Sequence, residues 1–287
     1  MTSHAAFSDE SYYNRGRYRS IAVVTLEASQ IPPSNQCLCE LLGGSRVSEL
    51  KFQKLRQARY RFAAQKVVDF VIEQALCGAL RADVLIWDTE DSRHKIRGRD
   101  DIANLQRMYY HLLNNALGRW PGNNSWALYP DRNSALDWMT VRDYLDKAGA
   151  ILSSTSRDLA LFPARLRNEF HIEQVQEMDS RENPLCQVAD LLAGMSVFSR
   201  DRFETYRCWK RKQQRQLPLF STKPDARLSN SDEERCRVLD YIDDKCKRQK
   251  LGVSLQTRQG LWTPDPTNPI NFWFYEPQHP EDKAPTR

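Results

Sequence analysis

The chain has 287 residues, 40% of them hydrophobic, with seven tryptophans and a formal charge of +5. That length suits one α/β core with additions, and the apolar share is ample for a packed interior. No apolar run is long enough to span a bilayer, the opening "MTSHAAFSDES" lacks the apolar stretch of a secretion signal, and the seven cysteines, Cys37-x-Cys39 included, show no paired zinc spacing. A soluble, cytoplasmic protein with free thiols is expected, and its basic balance permits nucleic-acid binding without requiring it.

A short strand around Ala5–Asp9 leads to "RYRSIAVVTLEAS", whose β-branched centre reads as a second strand. The Pro-Pro and Gly-Gly stretch from Ile31 to Ser45 reads as loop, and a long, bent helix is expected over roughly Val47–Leu80. "ADVLIWDTED" is a buried strand ending in acids. "DDIANLQRMYYHLLNNALGRW" is a helix with Leu105, Met108, Tyr109, Leu112, Leu113 and Leu117 on its core face. "NSWALYPDRNS" gives a strand and turn, "ALDWMTVRDYLDKAGAIL" a helix, and "EFHIEQVQEMDS" an alternating strand.

"PLCQVADLLAG" then opens a helix, with Pro184 at a first helical position and Leu185, Val188, Leu192 and Met195 sharing one face. Gln187, Asp190 and Gly194 stack on the opposite side. Either they are the wet face of an amphipathic helix, or the acid points into a site and the glycine admits close approach. The stretch Arg200–Arg215 is heavily cationic, with Phe203, Tyr206 and Trp209 interleaved. It reads as a solvated helix face or as a surface following phosphates through Arg207, Lys210, Arg211 and Lys212. A helix around Glu233–Gln249 and a buried segment "NFWFYEP" follow, and the tail "QHPEDKAPTR" is expected to be loosely held. Strands alternating with helices make a layered α/β domain over residues 1–215, with a C-terminal helical and extended addition over 216–287 packed on it.

Acids recur at strand ends and helix starts: Asp9 and Glu10, Glu49, Asp88 and Asp91, Asp131, and then Asp190. Any one of Asp9, Asp88 or Asp131 alone reads as a turn residue. As a set they can converge at one sheet edge, where carboxylates without histidine or cysteine partners suit Mg²⁺ or Mn²⁺. Two such ions about 3.5–4 Å apart clamp the attacking and leaving oxygens of a phosphodiester.

Three motifs, "SDES" at Ser8–Ser11, "SELKF" at Ser48–Phe52 and "DSRENPLCQVADLLAG" at Asp179–Gly194, carry a resemblance to the DUF3800 family. That family is similar to ribonuclease H-like (RuvC/retroviral-integrase-like) nucleases. The resemblance implies a ribonuclease H-like mixed sheet flanked by helices and a metal-dependent nuclease acting on DNA or RNA, in a defence or mobile-element setting. It also implies Asp9, Glu49 and Asp190 as ligands from the first strand, a helix and the final helix, with Lys51 holding a carboxylate or a phosphate. The fourth acid stays open: ribonuclease H strand order gives Asp88, and the family pattern gives Asp131. Tyr12 stands where the family commonly has glycine. The segment "WDTEDSRHKIRGRDD" looks like a subgroup feature whose Arg93, His94, Lys95, Arg97 and Arg99 are placed to meet a phosphate. Two other readings use the same residues: a strand-transfer enzyme, and a silent or partner-activated subunit with "NFWFYEP" docking a partner protein.

Overall fold

A computed structural model describes residues 2–11, 16–91, 100–132, 136–145, 170–214 and 228–276. Strands β1 (His4–Ser11), β2 (Tyr18–Glu27) and β3 (Leu80–Asp88) form an antiparallel meander. Strand β4 (Ser125–Pro130) pairs parallel with β1, β5 (His171–Val175) parallel with β4, and β6 (Ile270–Phe274) parallel with β3. The result is one six-stranded mixed sheet in the order β5-β4-β1-β2-β3-β6. The helices are α1 (Ile31–Gly44), α2 (Ala58–Leu76), α3 (Asp101–Leu117), α4 (residues 138–145), α5 (Pro184–Asp201), α6 (Phe203–Gln213) and α7 (Asn230–Arg248).

Alternation along each strand feeds two cores. Ala5, Phe7, Ala22, Val24, Val84 and Ile86 pack toward α1, α2, α5 and α7. Ala6, Ile21, Val23, Leu85 and Trp87 pack toward α3 and α4. The C-terminal strand belongs to this same sheet, and Asn271 of β6 donates to the fully buried Asp83, which also pairs with Arg119. The expected boundary at residue 215 and the tail "QHPEDKAPTR" lie outside the described residues.

Two sequence expectations are corrected. The stretch Ile31–Ser45 is helical rather than loop. Its prolines sit in the first turn, where a missing N–H costs no helical bond, and Leu38 and Leu42 are buried on its inner side. The long helix expected over Val47–Leu80 is instead an irregular segment with a 3-10 turn at Phe52–Lys54, followed by α2, and β3 already begins at Leu80. The reason lies far along the chain, in α5. The backbone N–H groups of Leu50 and Phe52 go to side chains of α5, so they do not close a helical turn.

Helix α5 lies between the β1–β2 face of the sheet and the outer helices α1 and α7, and every residue from Pro184 to Ser199 is buried. It has no wet face, so its polar stripe looks into protein. Asn183 caps it by accepting from the Leu185 N–H. Gly194 lets the ring of Phe52 lie against the helix, since a Cβ built there would stand 2.3 Å from Phe52 Cγ. Gly194→Ala should therefore destabilise the fold by about 1–3 kcal/mol through overpacking, read as a lower melting temperature. Gly43→Ala, whose Cβ meets nothing within 4 Å, is the control and should not lower it.

Candidate functional site

Strands β1 and β4 are parallel neighbours, so Asp9 near the end of one and Asp131 just past the other come side by side. The Asp131 N–H donates to Ser8 O at 2.8 Å and fixes that register. Asp9 shares its face with Ala5 and Phe7, on the α5 side of the sheet. Glu10, one residue on, takes the opposite face, where it accepts from the buried Tyr109 hydroxyl of α3. Helix α5 lays Asp190 over the sheet edge, and the irregular segment after α1 brings in Lys51. The Lys51 Nζ lies 3.1 Å from Asp9 Oδ2, 3.2 Å from Asp131 Oδ2 and 3.9 Å from Asp190 Oδ1.

Each of these carboxylates is oriented through its other oxygen by a backbone N–H. Asp9 Oδ1 accepts from Glu10 N–H at 2.8 Å, Asp131 Oδ1 from Ser180 N–H at 3.0 Å, and Asp190 Oδ2 from Phe52 N–H at 2.6 Å. Gln187, one turn before Asp190, accepts from Leu50 N–H at 2.7 Å and donates to Ser180 O at 2.7 Å. Gln187 thus ties the Lys51 segment to the loop that holds Asp131. Three oxygens from three parts of the chain are left aimed at one positive charge.

One ammonium faces more negative charge than it can neutralise. Burial works against the charge on Lys51, yet Asp9, Asp190 and Asp131 overcome it and hold the ammonium above the ordinary lysine value. Burial pushes Asp9 well above the usual carboxylate range, and Asp190 beside it adds to the rise while Lys51 opposes it. Asp190 is pushed up to about 6, chiefly by burial, against the pull of Lys51 and the Phe52 N–H. Cys186 lies at the edge of this field; burial, then Asp131 and Asp9, raise its thiol, and its Sγ faces Tyr129 O at 3.6 Å. It is a neutral thiol rather than a nucleophile.

The other expected site residues are placed elsewhere. Glu49 is not on a helix; its carboxylate pairs with Lys54, close enough to Asp190 to raise it but not part of the group around Lys51. Asp88 lies two strands from Asp9 and is gripped by Arg17, whose Nη2 donates at 2.8 Å, and by the Glu90 N–H. The acid that joins Asp9 and Asp190 is Asp131. Arg93, His94, Lys95, Arg97 and Arg99 lie outside the described residues. On α6, Phe203, Tyr206 and Trp209 are buried, so they offer no stacking surface. Lys210 is tied to Asp240 and Arg207 to Glu204, while Arg211 reaches the Cys208 sulfur. Lys212 is half-buried on the same helix. Ser180, whose N–H orients Asp131, was not foreseen as a site residue.

The donor chemistry, carboxylate oxygens alone, suits a hard divalent cation. The arrangement as it stands does not fit one. Among the described residues no three His, Cys, Asp or Glu side chains group closely enough to hold a metal ion, and Lys51 stands at their focus. Among the described residues no helix is long and apolar enough to cross a membrane.

No protein-family model matches the chain. It is 41% identical, over 293 aligned residues covering 98% of this chain and 97% of the relative, to "Uncharacterized protein ORF2'" of Methanothermobacter thermautotrophicus. The same identity and coverage hold for "Uncharacterized protein ORF2" of that organism. The chain belongs to the family of these two proteins.

The raised Asp190 carboxyl makes a stability prediction. A carboxyl whose folded pKa exceeds its unfolded value stabilises the fold at low pH, and that contribution is lost as pH rises through the folded value. Asp190→Asn keeps an oxygen for Phe52 N–H and removes the charge. It should match the wild type near pH 3.5 and become the more stable protein between pH 4 and pH 7, by up to about 3 kcal/mol. Thermal melts of both proteins across that range check it.

Proposed function

We propose that this member of the ORF2 family is a ribonuclease H-like hydrolase that cleaves phosphodiester bonds of nucleic acid at the Asp9–Asp131–Asp190 cluster, with Mg²⁺ or Mn²⁺. One observation carries the reading: the carboxylates arrive from two parallel strand ends and a crossing helix, each with one oxygen fixed by a backbone N–H and the other turned to a common cation. Donors fixed this way reach their partner with little reorganisation. Asp9 on the central β1 and Asp131 past the neighbouring parallel strand stand together while Asp88 lies two strands away, which supports the acid given by the family pattern, Asp131, over the one given by ribonuclease H strand order, Asp88.

A divalent cation, held there once Lys51 had left the focus of the carboxylates, would supply neutralisation of phosphate charge and a polarised water. Everything else falls to the chain. Asp9, Asp131 and Asp190 would be the residues to hold the cation. Gln187 and Asp190 set the position of the segment carrying Lys51, the nearest positive side chain to a bound phosphodiester. Glu10, locked to Tyr109 on the far face, takes no part in the cluster. A cavity of about 460 Å³ beside α6, lined by Tyr206, Arg207, Lys210 and Arg211, is the candidate contact to the nucleic-acid backbone.

A second reading, a catalytically silent or partner-activated subunit of a nucleic-acid-associated assembly, is favoured by a different observation: Lys51 fills the focus of the carboxylates. Labelled single- and double-stranded DNA, RNA and hybrid, incubated with Mg²⁺, Mn²⁺ or chelator, separate the two. The nuclease reading expects metal-dependent cutting that Asp131→Asn and Asp190→Asn each reduce by about a hundredfold or more. Absence of cutting by folded wild type on every substrate sinks it and leaves the silent subunit. Joined rather than cut products identify strand transfer.

A further inference from the structure

The other face of the sheet carries a second polar group, away from Lys51. Along β3, Arg81 and Asp83 alternate with Ala82 and Val84, so they share the α3 face with Leu85 and Trp87, whereas Asp9 lies on the α5 face. They also sit nearer the other end of the strands. Arg81 is level with Thr25 and, through it, with Ala6, while Asp9 is level with Ala22 and Val84. There Arg81 and Arg119, just beyond α3, line an open cavity of about 530 Å³ with Asn114 and Asn115 of α3 and Thr267 from the loop before β6.

The two guanidiniums are unequally matched. Arg119 pairs with Asp83, which is fully buried and also accepts from Asn271. Arg81 uses its Nη groups on the backbone carbonyls of Thr267 and Asn268, and its Nε is buried without a hydrogen-bond partner. No carboxylate among the described residues pairs with it. Burial lowers Arg81 from the ordinary arginine value, and Arg119 is brought down to about 10, by burial first and then by Arg81. Two like charges with one counter-charge leave the cavity net positive, an arrangement that an entering anion relieves. A planar carboxylate is satisfied by the fork of one arginine, whereas a phosphate group presents three oxygens and takes donors from several directions. Here Arg81 comes from a strand, Asn114 from a helix and Arg119 from the turn beyond it.

We propose that this cavity binds a phosphate group, free or carried by a small molecule, with Arg81 and Arg119 meeting its charge and Asn114 donating to a remaining oxygen. The site is separate from the Asp9–Asp131–Asp190 cluster and depends on neither a metal nor cleavage. The cavity holds more than the phosphate itself, and beyond the arginines its lining of Asn114, Asn115 and Thr267 is polar, which suits a sugar as the carrier.

Isothermal titration of the full chain with inorganic phosphate, ribose 5-phosphate and unphosphorylated ribose tests this. Both phosphates should bind and ribose should not, and Arg81→Met and Asn114→Asp should each weaken phosphate binding by about tenfold or more. Asn114→Asp places a negative charge in the lining at unchanged size. It carries the test if Arg81→Met, which also loses the contacts to Thr267 and Asn268, fails to fold. Tighter binding of ribose 5-phosphate than of inorganic phosphate identifies a phosphorylated small molecule as the occupant; equal or weaker binding identifies free phosphate. No binding of either at up to about 10 mM, or binding that a folded Asn114→Asp protein leaves unchanged, overturns the proposal.

Discussion

The candidate site of this protein is arranged around one partly buried ammonium among three carboxylates. The contacts span the chain: Lys51 meets Asp9 of β1, Asp131 beyond β4 and Asp190 of α5. Burying several like charges is costly, and it persists only where an opposite charge and fixed hydrogen bonds compensate. Here both are present, yet the compensation is incomplete. Asp9 and Asp190 remain harder to ionise than ordinary carboxylates, first because they are buried and then because like charges crowd them.

Helix α5 is what makes the arrangement possible. Buried along nearly its whole length, it packs on β1 and β2 with its apolar residues and uses Gln187, Asp190 and Gly194 to shape the neighbouring segment. Gln187 and Asp190 take the N–H groups of Leu50 and Phe52, and Gly194 makes room for the Phe52 ring. The Ser20 hydroxyl of β2 donates to Ala193 O at 2.8 Å, fastening the helix to the sheet beside the cluster. A single helical stripe therefore positions the lysine by its backbone and supplies one of the acids that receive it. The same Asp190 carboxylate does both, one oxygen for structure and one for charge.

Much of this was legible in the sequence. A β-branched centre located β2, a compact apolar run ending in acids located β3, and the i, i+3, i+7 spacing of Gln187, Asp190 and Gly194 marked a stripe of interest. Strand-end position singled out Asp9 and Asp131, while leaving Asp88 an equal candidate. What separates them is which strands are neighbours, β4 beside β1 and β3 two places away, and that depends on pairing between segments distant in sequence. Helix α1 was missed because its prolines and glycines are the residues of loops as well as of helix ends. Glu49 was misplaced because the segment around it owes its shape to side chains of α5 more than a hundred residues later. The aromatic residues of the basic helix illustrate the opposite error. Interleaving with cations looked like a stacking surface, but the i, i+3, i+6 spacing of Phe203, Tyr206 and Trp209 turns them to the core.

The most direct test of this account is a crystal structure of the wild-type protein grown with Mn²⁺, with anomalous scattering to locate the ion. The account predicts an anomalous peak bonded to carboxylate oxygens of Asp9, Asp131 and Asp190, with the Lys51 ammonium withdrawn from among them and the Phe52 N–H still on Asp190. An ion found only at sites away from these residues, with Lys51 still seated between Asp9 and Asp131 at saturating Mn²⁺, would contradict it.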